Sequence, residues 1–258
     1  MKKVALTLGS GGARGLAHIG AIQALMEHGY EISSISGCSI GSLIGGIYAA
    51  GKISEAKDWF CSLDARDVLS LTDFSLGMSH VVKGERVLRA IQEWVPDRKI
   101  EDLPIPVALV ATDLIHSEPV VFHRGSLFDA IRASISIPMC FEPVQYRGTL
   151  LVDGGLVDPL PLDMVRRTKG DILVGINISG RTQIDRKGIH AASLINRTID
   201  IQIQAMTQLM IAHMHPQMVM TLAQDAYTTF DFYRAGEIIE RGRELMESEI
   251  ERYEGRNC

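Results

Sequence analysis

Short apolar runs alternate with longer segments of helical period along the chain, and this alternation predicts its secondary structure. The apolar runs predict strands at Lys3–Leu8, Ile32–Ser36, Pro106–Asp113, Pro119–His123, Thr149–Val152, Asp171–Ile178 and Gln217–Leu222. The intervening segments predict helices at Leu16–His28, Ser42–Ala50, Ser54–Ser62, Glu85–Trp94, Ser126–Ser134, Leu160–Arg167, Ala191–His213 and Arg234–Tyr253. Because strands that alternate with helices usually form a parallel sheet, the pattern indicates an α/β fold with a mostly parallel sheet.

Two stretches depart from this regular alternation. Residues 64–82, DARDVLSLTDFSLGMSHVV, show no clear period, which predicts a loop or a cap over a site. Residues 32–51 carry no charge over 20 positions, nominally enough to span a membrane. Five of these residues are Ser and five are Gly, so we predict a buried strand, turn and helix there instead.

Composition and charge narrow the class of protein. The chain has 258 residues, of which 46% are hydrophobic and 22% charged, which predicts one globular domain over residues 1–258. Its 26 basic and 31 acidic residues give a net charge of -5 without long runs of one sign, so no nucleic-acid partner is expected. The four cysteines are widely spaced without a C-x-x-C pair, which is typical of isolated thiols in a reducing compartment and predicts a cytoplasmic protein.

A Gly-rich turn joins the first strand to the first helix in LTLGSGGARGLAHIG, residues 6–20. Backbone N–H groups converge there at the positive end of the helix and can bind an anion. A dinucleotide is disfavoured, because the G-x-G-x-x-G pattern read from Gly9 has Arg14 at its third glycine and no acidic residue ends the second strand. The alternative is an oxyanion hole formed by the N–H groups around Gly11, Gly12 and Ala13.

The segment GCSIG, from Gly37 to Gly41, matches the G-x-S-x-G pattern of a nucleophilic serine on a sharp strand-to-helix turn. Glycines on both sides of Ser39 would let the turn approach the neighbouring strand and the helix start. A Gly-rich turn before a closely packed helix is the alternative interpretation. A Ser-His-Asp triad does not fit, because only two predicted strands precede Ser39 and none of the eight histidines is a convincing base.

Asp153 follows a predicted strand in GTLLVDGGLVDPLPL, residues 148–162. The carboxyl ends of strands are where open α/β sheets usually carry their sites. Apolar surroundings that raise the pKa of this carboxyl group would make it a competent base for a serine hydroxyl. An Asp-Gly turn that bonds the nearby backbone is the alternative interpretation.

Four ordered blocks resemble the patatin-like phospholipase family: GGARG at residues 11–15, GCSIG at residues 37–41, RASISIPMCFEPV at residues 132–144 and DGG at residues 153–155. The resemblance covers roughly residues 3–178 and continues more faintly through DFYRAGEIIERG. It implies a three-layer α/β/α fold and a Ser-Asp dyad, with Ser39 as nucleophile and Asp153 as base. It also implies oxyanion donors among Gly11, Gly12, Ala13 and Arg14, and elbow glycines at Gly37 and Gly41. Ser10 stands where many members have glycine, which matters little because the donors are backbone N–H groups.

The resemblance therefore implies a serine lipid acyl hydrolase of phospholipase A, lysophospholipase or esterase type. Its substrate would be a lipid or fatty-acyl ester, with peripheral membrane contact and without a metal or cofactor. Two alternatives stay open: an acyltransferase or thioesterase with the same dyad, and a non-catalytic regulatory or scaffold protein.

Three methionines, Met206, Met210 and Met214, recur at four-residue spacing and predict a flexible apolar stripe on one helix face. Core packing is the simpler interpretation of this stripe. The functional alternative is a position near an acyl channel or a membrane-facing mouth.

Overall fold

The computed structural model describes residues 2–72, 85–138, 140–182 and 191–256. Its strands are β1 (Lys2–Leu8), β2 (Tyr30–Cys38), β3 (Val107–Asp113), β4 (Glu118–Phe122), β5 (Val144–Tyr146), β6 (Thr149–Asp153), β7 (Ile172–Gly180) and β8 (Met218–Ala223). Its α-helices are α1 (Ala17–Glu27), α2 (Ile40–Ala49), α3 (Ile53–Ser62), α4 (Ala65–Thr72), α5 (Glu85–Gln92), α6 (Leu127–Ser134), α7 (Ala191–Met214) and α8 (Ala235–Gly255).

All eight strands belong to one mixed sheet with the order β5-β6-β3-β2-β1-β7-β8, and β4 pairs with β3. Strands β3, β2, β1, β7 and β8 are parallel to one another, whereas β4, β5 and β6 join through antiparallel pairs. The predicted α/β fold is confirmed, with its parallel part in the centre. The five parallel strands end along one side of the sheet, which we call the carboxyl edge.

Helices cover both faces of the sheet, which confirms the three-layer arrangement. Successive strand residues point to opposite faces, so Val4 and Leu6 of β1 enter the larger hydrophobic core while Ala5 enters a smaller one. Helices α1, α2, α3, α5, α6 and α8 contribute to the larger core. On the other face, Met210 and Met214 of α7 pack against the smaller core, as the packing interpretation of the methionine stripe predicts.

The predicted helix Leu160–Arg167 is wrong, because this segment is irregular. Pro161 has no N–H group to donate and disfavours a helical conformation at Leu160. The carbonyl oxygen of Pro159 instead accepts a hydrogen bond from the amide of Ser10 at 2.9 Å. The hydroxyl of Ser36 in β2 donates to the carbonyl oxygen of Pro161 at 2.7 Å, so neighbouring strands hold this segment in an irregular conformation.

Two further elements differ from the sequence prediction. Strand β5 was not predicted; it has only three residues and pairs with β6 across a turn at Arg147 and Gly148, which both have positive φ. Ala65–Thr72, within the stretch predicted as a loop or cap, forms helix α4. Residues 73–82 of that stretch lie outside the described residues.

The uncharged stretch of residues 32–51 forms the buried strand, turn and helix that we predict: β2 ends at Cys38 and α2 begins at Ile40. Among the described residues, no helix is both long and apolar enough to cross a membrane, although α7 and α8 have 24 and 21 residues. Cys38, Cys61 and Cys140 are free thiols, and Cys258 lies outside the described residues.

Candidate active site

Ser39 stands at the turn between β2 and α2, at the carboxyl edge of the sheet. Its backbone has φ 55° and ψ -124°, a conformation that is uncommon for a residue with a side chain. Such strain persists only where the surrounding structure enforces it, and it is often found at functional sites. The serine is almost fully buried, with 3% of its surface exposed.

The two glycines around Ser39 are required by close backbone contacts. A Cβ atom on Gly37 would lie 2.6 Å from the carbonyl oxygen of Gly41, and one on Gly41 would lie 2.2 Å from the carbonyl oxygen of Leu8. Real Cβ atoms are not found so close to backbone atoms. The motif thus has the steric cause that the sequence predicts, namely a turn pressed against the neighbouring strand and the helix start.

Strand β3 brings Asp153 to the same place. In the sheet register, Val110 of β3 pairs with Cys38, and the next residue, Ala111, pairs with Asp153. The end of β2 and the end of β6 therefore meet at adjacent positions of one strand. Across a sequence separation of 114 residues, the hydroxyl of Ser39 donates a hydrogen bond to Oδ2 of Asp153 at 2.5 Å.

The Asp153 carboxyl group is buried, and its burial governs its charge. Burial raises the pKa of Asp153 to about 6, while hydrogen bonds from the Ser39 hydroxyl and the Gly155 amide partly oppose this increase. The amide of Gly155 donates to the second carboxylate oxygen at 2.8 Å. This bond within the Asp-Gly turn and the bond to Ser39 use different oxygens, so the turn contact does not compete with the contact to Ser39.

The Gly-rich turn lies beside Ser39, where Gly12 lines the same pocket. Gly12 has φ +60°, and a Cβ atom there would lie 2.5 Å from Cγ2 of Thr229. The amide of Ala13 donates to the carbonyl oxygen of Thr229 at 2.9 Å, so it is already engaged. Within the described residues, the amides of Gly11 and Gly12 have no acceptor, so both are available as the predicted donors.

The side chain of Arg14 serves the fold, whereas the prediction for this residue concerns its backbone N–H group. The guanidinium group is buried and donates to three backbone carbonyl groups, those of Ile178, Gln224 and Tyr227, at 2.9 to 3.0 Å. These carbonyls follow or end β7 and β8, so Arg14 joins the Gly-rich turn to the neighbouring strands. Nothing in the sequence pattern indicated these partners.

Ser134, at the end of α6, was not singled out from the sequence. Its hydroxyl accepts a hydrogen bond from the amide of Ser39 at 2.9 Å and donates to the carbonyl oxygen of Val110 at 2.5 Å. It therefore holds the strained turn against β3. Its place in the block RASISIPMCFEPV was the available signal.

No histidine lines the pocket at Ser39 among the described residues. His18 is fully buried beneath the Gly-rich turn, and burial lowers its pKa to about 4. It is therefore neutral at pH 7, and Nε2 donates to the carbonyl oxygen of Gly9 at 2.9 Å. In the described part of the chain, no three His, Cys, Asp or Glu side chains come together as a metal site would require.

The pocket that opens onto Ser39 is almost entirely apolar. Its walls come from α2, α3, α4, α5, the segment after α6 and the segment before α8. It is lined by Gly12, Ser39, Ile40, Leu43, Trp59, Phe60, Leu63, Val68, Leu71, Val87, Ile135, Ile137, Phe141, Thr229, Phe230 and Phe232. Helix α4 thus forms part of the pocket wall. None of the three stripe methionines lines the pocket.

A family model described as patatin-like phospholipase matches residues 6–166. The chain belongs to the patatin-like phospholipase family. The matched range contains the Gly-rich turn, Ser39 and Asp153, while the pocket residues Thr229, Phe230 and Phe232 lie beyond it. Family membership supports a lipid hydrolase.

Curated relatives of this patatin-like chain match mainly its N-terminal two thirds. An uncharacterized NTE family protein of Mycobacterium tuberculosis is 46% identical over 178 residues, which make up 69% of this chain and 49% of that protein. Patatin-like phospholipase domain-containing protein 6 of Homo sapiens is 34% identical over 193 residues, 70% of this chain and 14% of that protein. The matched part of this chain thus spans about half of these relatives' length or less.

A solved structure, VipD from Legionella pneumophila, shares the fold of this patatin-like chain. The two align with a TM-score of 0.50 and 15% sequence identity over 96% of this chain and 67% of VipD. At this identity the likeness concerns the fold alone.

Proposed function

We propose that this protein hydrolyses fatty-acyl esters of lipids with Ser39 and Asp153 as a catalytic dyad. The observation that carries this proposal is the 2.5 Å hydrogen bond from the Ser39 hydroxyl to the buried Asp153 carboxylate. A carboxylate with a pKa of about 6 is ionised at pH 7 and is a stronger base than an ordinary aspartate.

The first half of the reaction forms an acyl-serine. Asp153 accepts the Ser39 proton as the serine oxygen attacks the ester carbonyl carbon, and the carbonyl oxygen becomes an oxyanion. The amides of Gly11 and Gly12 would donate to this oxyanion, assisted by the positive end of α2, which begins directly after Ser39. When the intermediate collapses, the carbon–oxygen bond to the alcohol breaks and the alcohol takes the proton from Asp153.

The second half returns the enzyme to its starting state. Asp153 accepts a proton from water as the water oxygen attacks the acyl-serine carbonyl carbon. A second tetrahedral oxyanion forms and collapses, Ser39 leaves with the proton from Asp153, and the fatty acid is released. The apolar pocket beside Ser39 would take up the acyl chain, because burying its methylene groups there removes them from water.

Labelling with a fluorophosphonate tests this assignment, since the probe phosphonylates an activated serine. The modified residue is mapped by mass spectrometry, and ester hydrolysis is measured in parallel. We expect labelling on Ser39 and loss of both signals in Ser39→Ala and Asp153→Asn. A folded protein that is labelled elsewhere, or that hydrolyses esters without Ser39, would contradict the proposal.

Cys38 provides the matched control beside the nucleophile. Its thiol is fully buried, and burial raises its pKa well above the usual value, so it is not a nucleophile at neutral pH. Cys38→Ala should therefore keep most activity.

Adding an alcohol or a thiol during turnover distinguishes hydrolysis from acyl transfer. If acyl-transfer products form in preference to the free fatty acid, the result would favour an acyltransferase or thioesterase.

A further inference from the structure

Exposed apolar side chains are concentrated at the carboxyl edge. The described residues expose ten large apolar side chains. Six of them, described below, belong to segments at this edge, whereas Met26 and Leu209 belong to helix segments that lead away from it. Met26 lies in the last turn of α1, which leads into the start of β2, and Leu209 lies in the second half of α7. Folded proteins scatter single exposed apolar residues over their surface, whereas a grouped set marks an interaction surface.

The turn after β3 is one part of this group. Strand β3 ends at Asp113, and Leu114 and Ile115 follow it with 48% and 59% of their surfaces exposed. The amide of Ile115 donates to the Asp113 carboxylate at 2.8 Å, which fixes the turn. Both side chains therefore project from the same edge as Ser39.

The first turns of α7 are a second part. The Gln204 side-chain amide donates to the carbonyl oxygen of Gly180, the last residue of β7, at 3.4 Å. Gln204 is therefore level with the end of the sheet, and the preceding residues of α7 extend beyond it. Among them, Leu194 and Ile201 are 51% and 52% exposed, and they lie seven residues apart on one face of the helix.

The mouth of the pocket at Ser39 is the third part. In α4, Val68 and Leu71 line the pocket, whereas Leu69 between them is 60% exposed. Phe230 both lines the pocket and exposes 40% of its surface. Phe230 therefore joins the pocket lining to the exposed surface at its mouth.

We propose that these three parts, represented by Leu69, Leu114, Ile115, Leu194, Ile201 and Phe230 and called the apolar edge, seat the protein on a lipid surface. The inference rests on the proposed function, because a lipid substrate is held in an aggregate and must reach a pocket that opens at this edge. Insertion of apolar side chains between lipid head groups removes them from water and brings the pocket mouth to the acyl chains.

Apolar contact rather than charge provides the attraction. The net charge of -5, from 26 basic and 31 acidic residues, gives no overall attraction to anionic lipids. The expected partner is therefore a zwitterionic surface such as phosphatidylcholine, bound with little dependence on salt.

Co-sedimentation with phosphatidylcholine vesicles tests the proposal, using the full chain with Ser39→Ala so that the lipid stays intact. Ile115→Glu and Ile201→Glu should each lower the vesicle-bound fraction about fivefold or more, because a carboxylate at the interface opposes insertion. Met26→Glu and Leu209→Glu are the matched controls and should bind like the parent. Raising the salt concentration should change binding less than twofold. Equal losses in controls and edge variants, or binding only to anionic vesicles at low salt, would overturn the proposal.

A second measurement separates this inference from the proposed function. With Ser39 present, the edge variants should hydrolyse a short water-soluble ester at the parental rate and lose turnover only on vesicles. If the parent lacks esterase activity while vesicle binding still depends on the apolar edge, the proposed function fails and the docking surface stands. If the parent hydrolyses the soluble ester but the edge variants keep full turnover on vesicles, the docking surface fails alone. Edge variants that convert a dimer to a monomer without affecting vesicle binding would identify a self-association surface instead.

Discussion

The pH dependence of ester hydrolysis should report the buried state of Asp153. Because burial raises its pKa to about 6, the base is protonated at low pH and cannot accept the Ser39 proton. For a single group of this pKa, about nine tenths is ionised at pH 7 and about one tenth at pH 5. The rate constant kcat/KM should therefore fall about tenfold between pH 7 and pH 5. An aspartate with an ordinary pKa of about 3.9 would leave the rate nearly constant over this range.

The assay measures kcat/KM for a neutral short-chain ester between pH 4.5 and pH 8 at constant ionic strength. The rate of Ser39 phosphonylation by a neutral fluorophosphonate is a second readout, because it depends on the same base. The titration of Asp158 must be distinguished from that of Asp153. Burial, and secondarily the nearby Asp163, raises the pKa of Asp158 to about 7. The Asp158→Asn variant removes this group and should keep the inflection near pH 6.

Two results would refute this reasoning. A rate that stays constant down to about pH 5 would mean that the ionisation of Asp153 is not perturbed by burial, or that Asp153 is not the base. An inflection that disappears in Asp158→Asn would assign the observed titration to Asp158 instead. The first result would refute the raised pKa of Asp153 or its role as the base, and the second would remove the titration as support for Asp153.

Three substitutions test the structural support of the site. Gly41→Ala places a Cβ atom 2.2 Å from a backbone oxygen and should lower the free energy of unfolding by about 3 kcal/mol or more, as measured by urea unfolding. Gly236→Ala is the control, because the space around Gly236 in α8 is open; it should be neutral or stabilise the protein by up to about 1 kcal/mol. Ser134→Ala leaves the Ser39 amide without its acceptor, so it should lower the free energy of unfolding by about 1 to 3 kcal/mol and also lower kcat. Unchanged kcat and stability would show that this bond does not hold the turn. For Asp158, the folded-state pKa of about 7 lies above the ordinary value, so the folded state binds more protons and wild-type stability should fall as pH rises toward 7. Asp158→Asn should then gain about 2 to 3 kcal/mol over wild type between pH 5 and pH 8, and a pH-independent difference in urea unfolding would contradict the burial of this charge.

Local patterns along the sequence determined much of the fold. The spacing of apolar residues distinguishes strands from helices, because a strand buries one face and a helix buries one stripe. Every predicted strand is present, with boundaries shifted by a few residues. The elbow at Ser39 was also readable, since close backbone contact there excludes side chains on Gly37 and Gly41. Prediction failed for residues 160–167, where apolar residues at helical spacing are interrupted by Pro161, and for the three-residue strand β5, which is too short to show a period.

Contacts between distant segments were decided only by the tertiary structure. The resemblance implied that Ser39 and Asp153 act together, but their 2.5 Å hydrogen bond depends on the register of β2 and β6 against β3. The raised pKa of Asp153 depends on burial by residues from many segments, and the Ala13 amide is engaged because the segment before α8 reaches the Gly-rich turn. The spacing of apolar residues along the sequence indicates which side of a helix or strand is apolar. It does not indicate which apolar side chains remain exposed to solvent in the folded protein. The apolar edge therefore emerges only when the strand ends, α4 and the start of α7 are brought to one side of the sheet.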